Sequence, residues 1–142
     1  MIYLDTAALV KLVRVEVESA ALVAWLNERS TEPLVASTLV EIELPRALRR
    51  SQPGLLGSVA AVLARLHRIE ITAAIRATAG AYPEPALRSL DAIHLATADL
   101  LRASDLTITA FVTYDKRLAD AAAQLGFTVA APTARLGSVS GD

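Results

Sequence analysis

The sequence predicts a single α/β domain with a central, mainly parallel five-stranded sheet flanked by helices. Short runs rich in β-branched and aromatic residues alternate with longer Ala- and Leu-rich stretches of helical period, which is the pattern of βαβ units. A length of 142 residues is enough to bury one hydrophobic core. The chain contains no cysteine, so we expect neither disulfides nor thiolate metal sites.

Five short apolar runs are predicted to form the strands. Parallel strands place their carboxyl ends at one edge of a sheet, and ligands bind at that edge where the strand order reverses. A sheet in which the first and fourth strands are neighbours would therefore bring the residues at their carboxyl ends together. In chain order, the predicted strands are Ile2 to Asp5, Leu34 to Ser37, Arg68 to Ile71, Phe111 to Tyr114 and Phe127 to Ala130.

Helices are predicted in the intervals between these strands, where Ala and Leu recur at helical spacing. The turn sequence Ser51-Gln52-Pro53-Gly54 is expected to end the helix after the second strand, with another helix beginning near Leu55. The other predicted helices are Thr6 to Arg14, Glu16 to Arg29, and Ser89 to Ala103 with Ser89 as its N-cap, preceded by a break at Tyr82-Pro83-Glu84-Pro85.

The ends of the chain and its apolar runs indicate a soluble, cytoplasmic protein. The N-terminus has neither the basic region nor the cleavage site of a signal peptide. Charged residues interrupt every apolar run before the ~18 residues that a membrane span requires. The domain is predicted to cover residues 1–131, and residues 132–142, which are poor in apolar side chains, are predicted to form a flexible tail.

The charge balance alone does not indicate a nucleic-acid-binding protein, because the formal net charge is −1 and phosphate-binding domains usually carry a basic surplus. Without Asp5, Glu43, Asp91 and Asp115, the remainder of the chain carries a net charge of +3. All but two of the 14 basic residues are Arg, whose planar fork suits phosphate oxygens. An Arg- and Ala-rich genomic composition would have the same effect, so both explanations stay open.

Four acidic residues occur where a strand is predicted to end or a helix to begin. Carboxylates gathered in a small space repel one another unless a cation neutralises them, and Mg²⁺ prefers oxygen ligands that it shares with water and substrate phosphates. Taken singly, Asp91 and Asp115 are explained as favourable charges at helix N-termini. Together they predict metal-assisted phosphodiester chemistry. They are Asp5 in IYLDT, Glu43 in STLVEIEL, Asp91 in SLDAIHLATA and Asp115 in FVTYDKRLA.

Two acids compete for this role in STLVEIEL. Thr38 and Glu41 fit the capping-box pattern T-x-x-E, which gives Glu41 a structural role. Glu43 has no such role, and Arg46 and Arg50 follow it on the same predicted helical face. That face is either a surface ladder of ion pairs or a metal-binding carboxylate beside phosphate-binding guanidinium groups.

Three further residues on the predicted helices have expected roles of their own. Pro45 is expected to remove one hydrogen bond from the helix that carries Glu43 and to kink it. His94 is expected to be a packed or orienting histidine. Asp99 lies about 80° around the helix from Asp91 by the 3.6-residue period, and we expect it to be a surface acid or a peripheral contributor to the site.

In these motifs the chain resembles the PIN domain, and specifically the VapC-type toxins of bacterial toxin–antitoxin pairs. The opening MIYLDTAALVKL is similar to the first motif of the family, with Asp5 as its acid and Thr6 as the adjacent hydroxyl. SLDAIHLATA is similar to its third motif. The second and fourth motifs match at Ser37, Glu43 and Arg46, and at Thr113 and Asp115 in FVTYDKRLADAA. The four motifs occur in the family's order over about the first 130 positions.

The resemblance implies a PIN-like three-layer fold and an endoribonuclease that depends on Mg²⁺, with Mn²⁺ as a substitute. Such an enzyme would be the toxin of a type II toxin–antitoxin system, it would be inhibited by a VapB-type antitoxin, and it would form a homodimer. The implied roles are Asp5 and Asp91 as main metal ligands, Glu43 and Asp115 completing the acidic site, Thr6 and Thr113 holding water or phosphate beside it, and Arg46 and Arg50 binding the RNA backbone.

Two other functions remain compatible with the sequence. One is a catalytically inert PIN-like module that binds RNA or protein, against which the complete set of acids argues. The other is an Asp-based phosphatase or phosphotransferase, whose nucleophilic Asp also ends a first strand. Such enzymes need a second Asp two residues later, and this position is Ala7.

Overall fold

The structure is a computed structural model that describes residues 1–134, so residues 135–142 of the predicted tail lie outside the described part. One sheet has the strand order β3-β2-β1-β4-β5, with every neighbouring pair parallel. The predicted five-stranded parallel sheet is confirmed, and the first strand pairs with the fourth, the arrangement that brings their carboxyl ends together. The strands are β1 (Ile2–Leu4), β2 (Leu34–Ser37), β3 (Leu66–Ile69), β4 (Ala110–Val112) and β5 (Val129–Ala130).

Strand β3 begins and ends earlier than predicted. Leu34 pairs with Leu66 and Ser37 with Ile69, so all of β2 is matched by Leu66–Ile69. Beyond Ser37 the chain turns away into a helix, and Glu70 and Ile71 are therefore left without a partner on β2. Pairing with the neighbouring strand set these bounds, and the apolar pattern of the segment did not reveal them.

Seven α-helices and one 3₁₀ segment occur within residues 1–134. The long helix before the fourth strand has its predicted bounds. The second helix begins at Ser19, because the residues before it form a turn. The helices are α1 (Thr6–Val13), α2 (Ser19–Asn27), α3 (Val40–Ser51), α4 (Val59–Ala64), α5 (Ala73–Ala81), α6 (Ser89–Ala103) and α7 (Lys116–Gln124), with the 3₁₀ segment at Pro53–Ser58.

Different helices cover the two faces of the sheet. Side chains alternate along the central strand β1. Ile2 and Leu4 pack with residues of α1, α2, α3 and α4 on one face. Tyr3 packs with residues of α6 and α7 on the other face. All three side chains are fully buried, and the three-layer arrangement predicted from the sequence is confirmed.

The predicted capping box at the start of α3 is wrong. Leu39 occupies the N-cap position with helical dihedral angles, and no side chain caps the helix. Glu41 instead forms an ion pair with Arg68 on the neighbouring strand β3, with Oε1 2.8 Å from Nη1. The predicted N-cap of α6 is also wrong, because Ser89 is the first helical residue and Arg88 is the N-cap.

Helix α3 continues without interruption through Pro45 from Val40 to Ser51. The lost backbone hydrogen bond therefore does not end the helix, and Glu43 stays on the same helix as the arginines that follow it.

No helix among residues 1–134 is long and apolar enough to cross a lipid bilayer.

We expect Glu41→Gln to change the free energy of unfolding by less than about 0.5 kcal/mol, because exposed ion pairs contribute little. Leu44→Ala on the same helix removes a fully buried side chain and should cost about 3 kcal/mol. Urea denaturation of the two variants and the wild type measures both effects. A loss from Glu41→Gln as large as that from Leu44→Ala would contradict the surface role of Glu41.

Candidate active site

The structure brings all four predicted acids to one cavity of about 670 Å³ at the carboxyl ends of β1 and β4. This is the point where the strand order reverses, since β2 and β3 lie on one side of β1 and β4 and β5 on the other. Helices α1, α3 and α6 and the start of α7 form its walls. The carboxylates that line it are Asp5, Glu43, Asp91 and Asp115, with Glu16 at its edge.

Asp5 follows β1 directly and is the N-cap of α1. Its Oδ1 accepts the backbone N–H of Ala8 at 2.9 Å, and its Oδ2 accepts the hydroxyl of Thr113 at 2.5 Å. The side chain is almost fully buried. Burial raises the pKa of Asp5 above its usual value of 3.8, although the hydrogen bonds from Thr113 and Ala8 act in the opposite direction.

Thr113 connects the first and fourth acids. Its buried hydroxyl donates to Asp5 and accepts the backbone N–H of Asp115 at 3.1 Å. Asp115 is the N-cap of α7, where its Oδ1 accepts the N–H of Leu118 at 2.9 Å. Two of the four carboxylates therefore begin helices, where N–H groups and the helix dipole favour a negative charge.

Asp91 lies in the first turn of α6 and is partly buried. Burial raises its pKa, and repulsion from Asp115 and Glu43 adds to the rise. Asp91 is thus close enough to these two carboxylates for them to disfavour its charged form. Asp99, eight residues later, does not line the cavity: it accepts the hydroxyl of Tyr82 at 3.2 Å and pairs with Arg102 at 3.0 Å.

Glu43 is the acid that the protein holds in its charged form. Its Oε1 accepts the hydroxyl of Thr6 at 2.6 Å and lies 2.9 Å from Nε2 of His94. Burial raises the pKa of Glu43, but these two contacts outweigh burial and bring the pKa below its usual value of 4.5. Thr6 was expected beside water or phosphate, and here it contacts a carboxylate.

Tyr3 is a residue that the sequence did not single out. Its hydroxyl lies 2.8 Å from Nδ1 of His94, which is itself buried. Burial raises the pKa of Tyr3 well above 10, so the phenol keeps its proton. The alternation along β1 was an available signal, because it turns Tyr3 away from Ile2 and Leu4 toward the helix that carries Asp91.

Four cationic side chains line the side of the cavity formed by α1 and α3. Lys11 and Arg14 pair with Glu16, and Lys11 lies over the ring of Tyr114. The sequence did not predict these two residues, although they lie four and seven positions after Ala7, which lines the cavity too. Arg46 and Arg50, which it did predict, are exposed on α3 and form no ion pair within residues 1–134.

The donor set suits a hard divalent cation. Within residues 1–134 no three carboxylate or imidazole groups converge closely enough to coordinate one ion. Mg²⁺ is commonly held by one or two carboxylates together with water and substrate phosphates, and the cavity offers four carboxylates for such an arrangement.

A parallel sheet whose switch point holds four carboxylates beside exposed arginines defines an α/β protein suited to binding a cation and a phosphate group. Comparison with known proteins agrees with this class. The PIN-domain profile matches residues 2–124. Ribonuclease VapC35 of Mycobacterium tuberculosis is 58% identical over 132 residues, which cover 93% of this chain and 97% of that protein. This chain belongs to the PIN-domain family, among its VapC-type members.

Other similar proteins agree with this assignment. Ribonuclease VapC47 of Mycobacterium tuberculosis is 40% identical over 137 residues, covering 94% of this chain and 98% of that protein. The crystal structure of Mycobacterium tuberculosis VapC20, described as a toxin that cleaves the sarcin–ricin loop, superposes with a TM-score of 0.66 at 18% identity, covering 85% of this chain and 95% of that one. The structure of Rickettsia felis VapBC2 bound to a promoter DNA fragment superposes with a TM-score of 0.59 at 16% identity. The match covers 92% of this chain and 98% of that one. At these identities the two structures support the fold alone.

In metal-free protein at pH 7 we expect Asp5→Asn to raise the melting temperature, by roughly 3 °C if the relief is about 1 kcal/mol. The amide oxygen can still accept the N–H of Ala8, and the amide nitrogen can donate to the hydroxyl oxygen of Thr113, so the buried charge is removed while both residues keep a partner. Because folding raises the pKa of Asp5, the native state binds more protons than the unfolded state, and wild-type stability falls as pH rises from 3.8 to the native pKa.

The advantage of Asp5→Asn should therefore disappear toward pH 4 and reach its full size above the native pKa. Thermal melts in excess chelator between pH 4 and pH 8 measure this dependence. Asp99→Asn is the matched control, because Asp99 is paired with Arg102 outside the cavity and its replacement should not stabilise the protein. An Asp5→Asn variant that is less stable than the wild type at every pH would contradict the buried-charge account.

Proposed function

We propose that this protein is a metal-dependent endoribonuclease and the toxin of a type II toxin–antitoxin system. The observation that carries the proposal is the convergence of Asp5, Glu43, Asp91 and Asp115 on one cavity that exposed arginines also line. The family supports the same activity, since the relatives that are 58% and 40% identical to this chain are named ribonucleases. The substrate class is RNA, and the reaction is hydrolysis of a phosphodiester bond.

We propose Mg²⁺ as the cation, with Mn²⁺ as a substitute, because all four acidic ligands are hard oxygen donors. When bound, the ion supplies positive charge that polarises the scissile phosphate and activates a water molecule. Asp5 and Asp91 are the proposed main ligands, and Glu43 and Asp115 bind directly or through water. Asp5 is the most rigid of them, because both of its oxygens accept hydrogen bonds.

The remaining cavity residues hold the ligands and the substrate. Thr113 fixes the orientation of Asp5, and Thr6 fixes that of Glu43; such contacts to ligands tune both metal affinity and activity. Arg46 and Arg50 bind phosphates of the RNA on either side of the bond that is cleaved. The RNA chain then lies across α3, with the scissile phosphate above the acidic end of the cavity.

The proposed regulator is an antitoxin of the VapB type. A similar structure is that of a VapBC pair, and the acidic cavity would accept a basic side chain of such a partner through charge-assisted hydrogen bonds. We also propose a homodimer and a cytoplasmic location, both of which follow from the family alone. A phosphotransferase is disfavoured because Ala7, at the position of the required second acid, lines the cavity without a functional group.

We expect Asp91→Asn to abolish RNA cleavage, and Asp99→Asn on the same helix to leave it unchanged. Both variants remove one negative charge from α6, but only Asp91 lines the cavity. The measurement is incubation of purified protein with total cellular RNA in Mg²⁺ and in excess chelator, followed by mapping of the fragment ends. Equal loss in both variants, or cleavage that persists in chelator, would refute the proposed mechanism.

We expect Arg46→Gln and Arg50→Gln to weaken RNA binding and to reduce its salt dependence. Each lost phosphate contact on single-stranded RNA should lower the slope of log K against log salt by about 0.7. Arg49→Gln is the control, since Arg49 is exposed on the same helix but does not line the cavity. RNA binding is measured by fluorescence anisotropy. All variants also carry Asp91→Asn, so that the RNA is not cleaved during the titration. The same slope in all three variants would place the RNA elsewhere.

A further inference from the structure

A chain of hydrogen bonds leads from the buried core to the acidic cavity. The hydroxyl of Tyr3 lies 2.8 Å from Nδ1 of His94, and Nε2 of His94 lies 2.9 Å from Oε1 of Glu43. Thr6 completes the chain from the other side, with its hydroxyl 2.6 Å from the same Oε1. Tyr3 and His94 are almost completely buried, so the order of donors and acceptors is fixed by the protein and not by solvent.

The direction of this chain follows from its last member. The carboxylate of Glu43 can only accept, so the proton on Nε2 of His94 points toward Oε1. Nδ1 is then the acceptor of the imidazole, and the hydroxyl of Tyr3 donates to it. A hydrogen bond at one ring nitrogen determines which nitrogen carries the proton. Glu43 at Nε2 and Tyr3 at Nδ1 therefore favour the same form of His94, the one that donates to Glu43.

The position of Tyr3 is itself fixed by packing. Its ring stacks on Phe111 of the adjacent strand with 5.0 Å between centroids and 12° between planes. It meets the imidazole of His94 edge-on, at 76°. Both rings are thus held by the sheet and by α6, two parts of the fold that do not depend on the contents of the cavity.

The two carboxylate oxygens of Glu43 consequently differ in their hydrogen bonds. Oε1 of Glu43 accepts hydrogen bonds from Thr6 and His94, whereas Oε2 accepts none from residues 1–134. The two donors are fixed, so they determine the plane of the carboxylate and which oxygen remains available at the cavity. A lysine or arginine in place of His94 would also orient Glu43, but its charge would compete with a cation for the carboxylate.

We propose that Tyr3 and His94 are positioning residues that hold Glu43 in one orientation, with Oε2 offered to a divalent cation in the cavity. The identity of the ligand rests on the proposed metal-dependent function, but the hydrogen-bond order does not. Partners of metal ligands typically change metal affinity or activity 10- to 100-fold when they are removed, roughly the size of the effect expected here.

The test compares two single-atom changes. Tyr3→Phe removes the hydroxyl that bonds His94, and Tyr82→Phe removes a hydroxyl that bonds Asp99 outside the cavity. We expect Tyr3→Phe to weaken Mn²⁺ binding about 10-fold and to lower kcat for RNA to a similar extent, with KM nearly unchanged. Tyr82→Phe should alter neither quantity. Mn²⁺ affinity is measured by electron paramagnetic resonance, which needs no RNA.

A second measurement on the metal-free wild type needs no variant. Nitrogen-15 NMR of labelled histidine reports which ring nitrogen carries the proton, and the exposed His67 is an internal reference. We expect His94 with its proton on Nε2 and an unprotonated, hydrogen-bonded Nδ1. In Tyr3→Phe we expect the proton to stay on Nε2, which still faces Glu43, and the Nδ1 signal to shift to that of a nitrogen without a hydrogen bond.

Each outcome decides between the alternatives. A proton on Nδ1 alone, wild-type Mn²⁺ affinity in Tyr3→Phe, or equal losses in Tyr3→Phe and Tyr82→Phe would overturn the positioning role. Absence of Mn²⁺ binding in the wild type would overturn it as well. A wild type that binds Mn²⁺ as described but cleaves no RNA would refute the proposed function and leave the positioning of Glu43 supported.

Discussion

Repulsion among four carboxylates at one end of the sheet is the constraint on which the site depends. Carboxylates in a shared, partly buried space raise one another's pKa, and Asp91 responds in this way to both Asp115 and Glu43. A protein that gathers such groups for a cation must hold them in place while the cation is absent. The fold achieves this with neutral donors, because a fixed cation would occupy the site that the carboxylates are to form.

The neutral donors come from two sources. Helix N-termini supply backbone N–H groups to Asp5 and Asp115. The hydroxyl of Thr113 bonds Asp5 and that of Thr6 bonds Glu43. These contacts are possible because a parallel sheet places strand ends and the following helix starts at the same edge. The permanent cations of α1, by contrast, are paired with nearby carboxylates at the edge of the cavity.

Much of this arrangement could be predicted from the sequence, and the exceptions have a common cause. Asp5 and Asp115 were found because an acid directly after an apolar run is a local signal. Tyr3 was missed because its role depends on His94, 91 positions away, and no local pattern reveals such a contact. Glu41 was assigned to a capping box for a related reason: Arg68, 27 positions later on β3, attracts its carboxylate.

The directions of the pKa shifts also distinguish Glu43 from Asp5. Glu43 keeps its charge because His94 and Thr6 offset the cost of its burial, whereas burial favours the protonated form of Asp5. In the proposed metal site a cation would therefore meet Glu43 ionised and oriented, and it would displace any proton held by Asp5 or Asp91, whose pKa values burial raises. Metal binding and proton release are coupled in such a site. We therefore expect the affinity for the cation to rise with pH until both carboxyl groups are ionised.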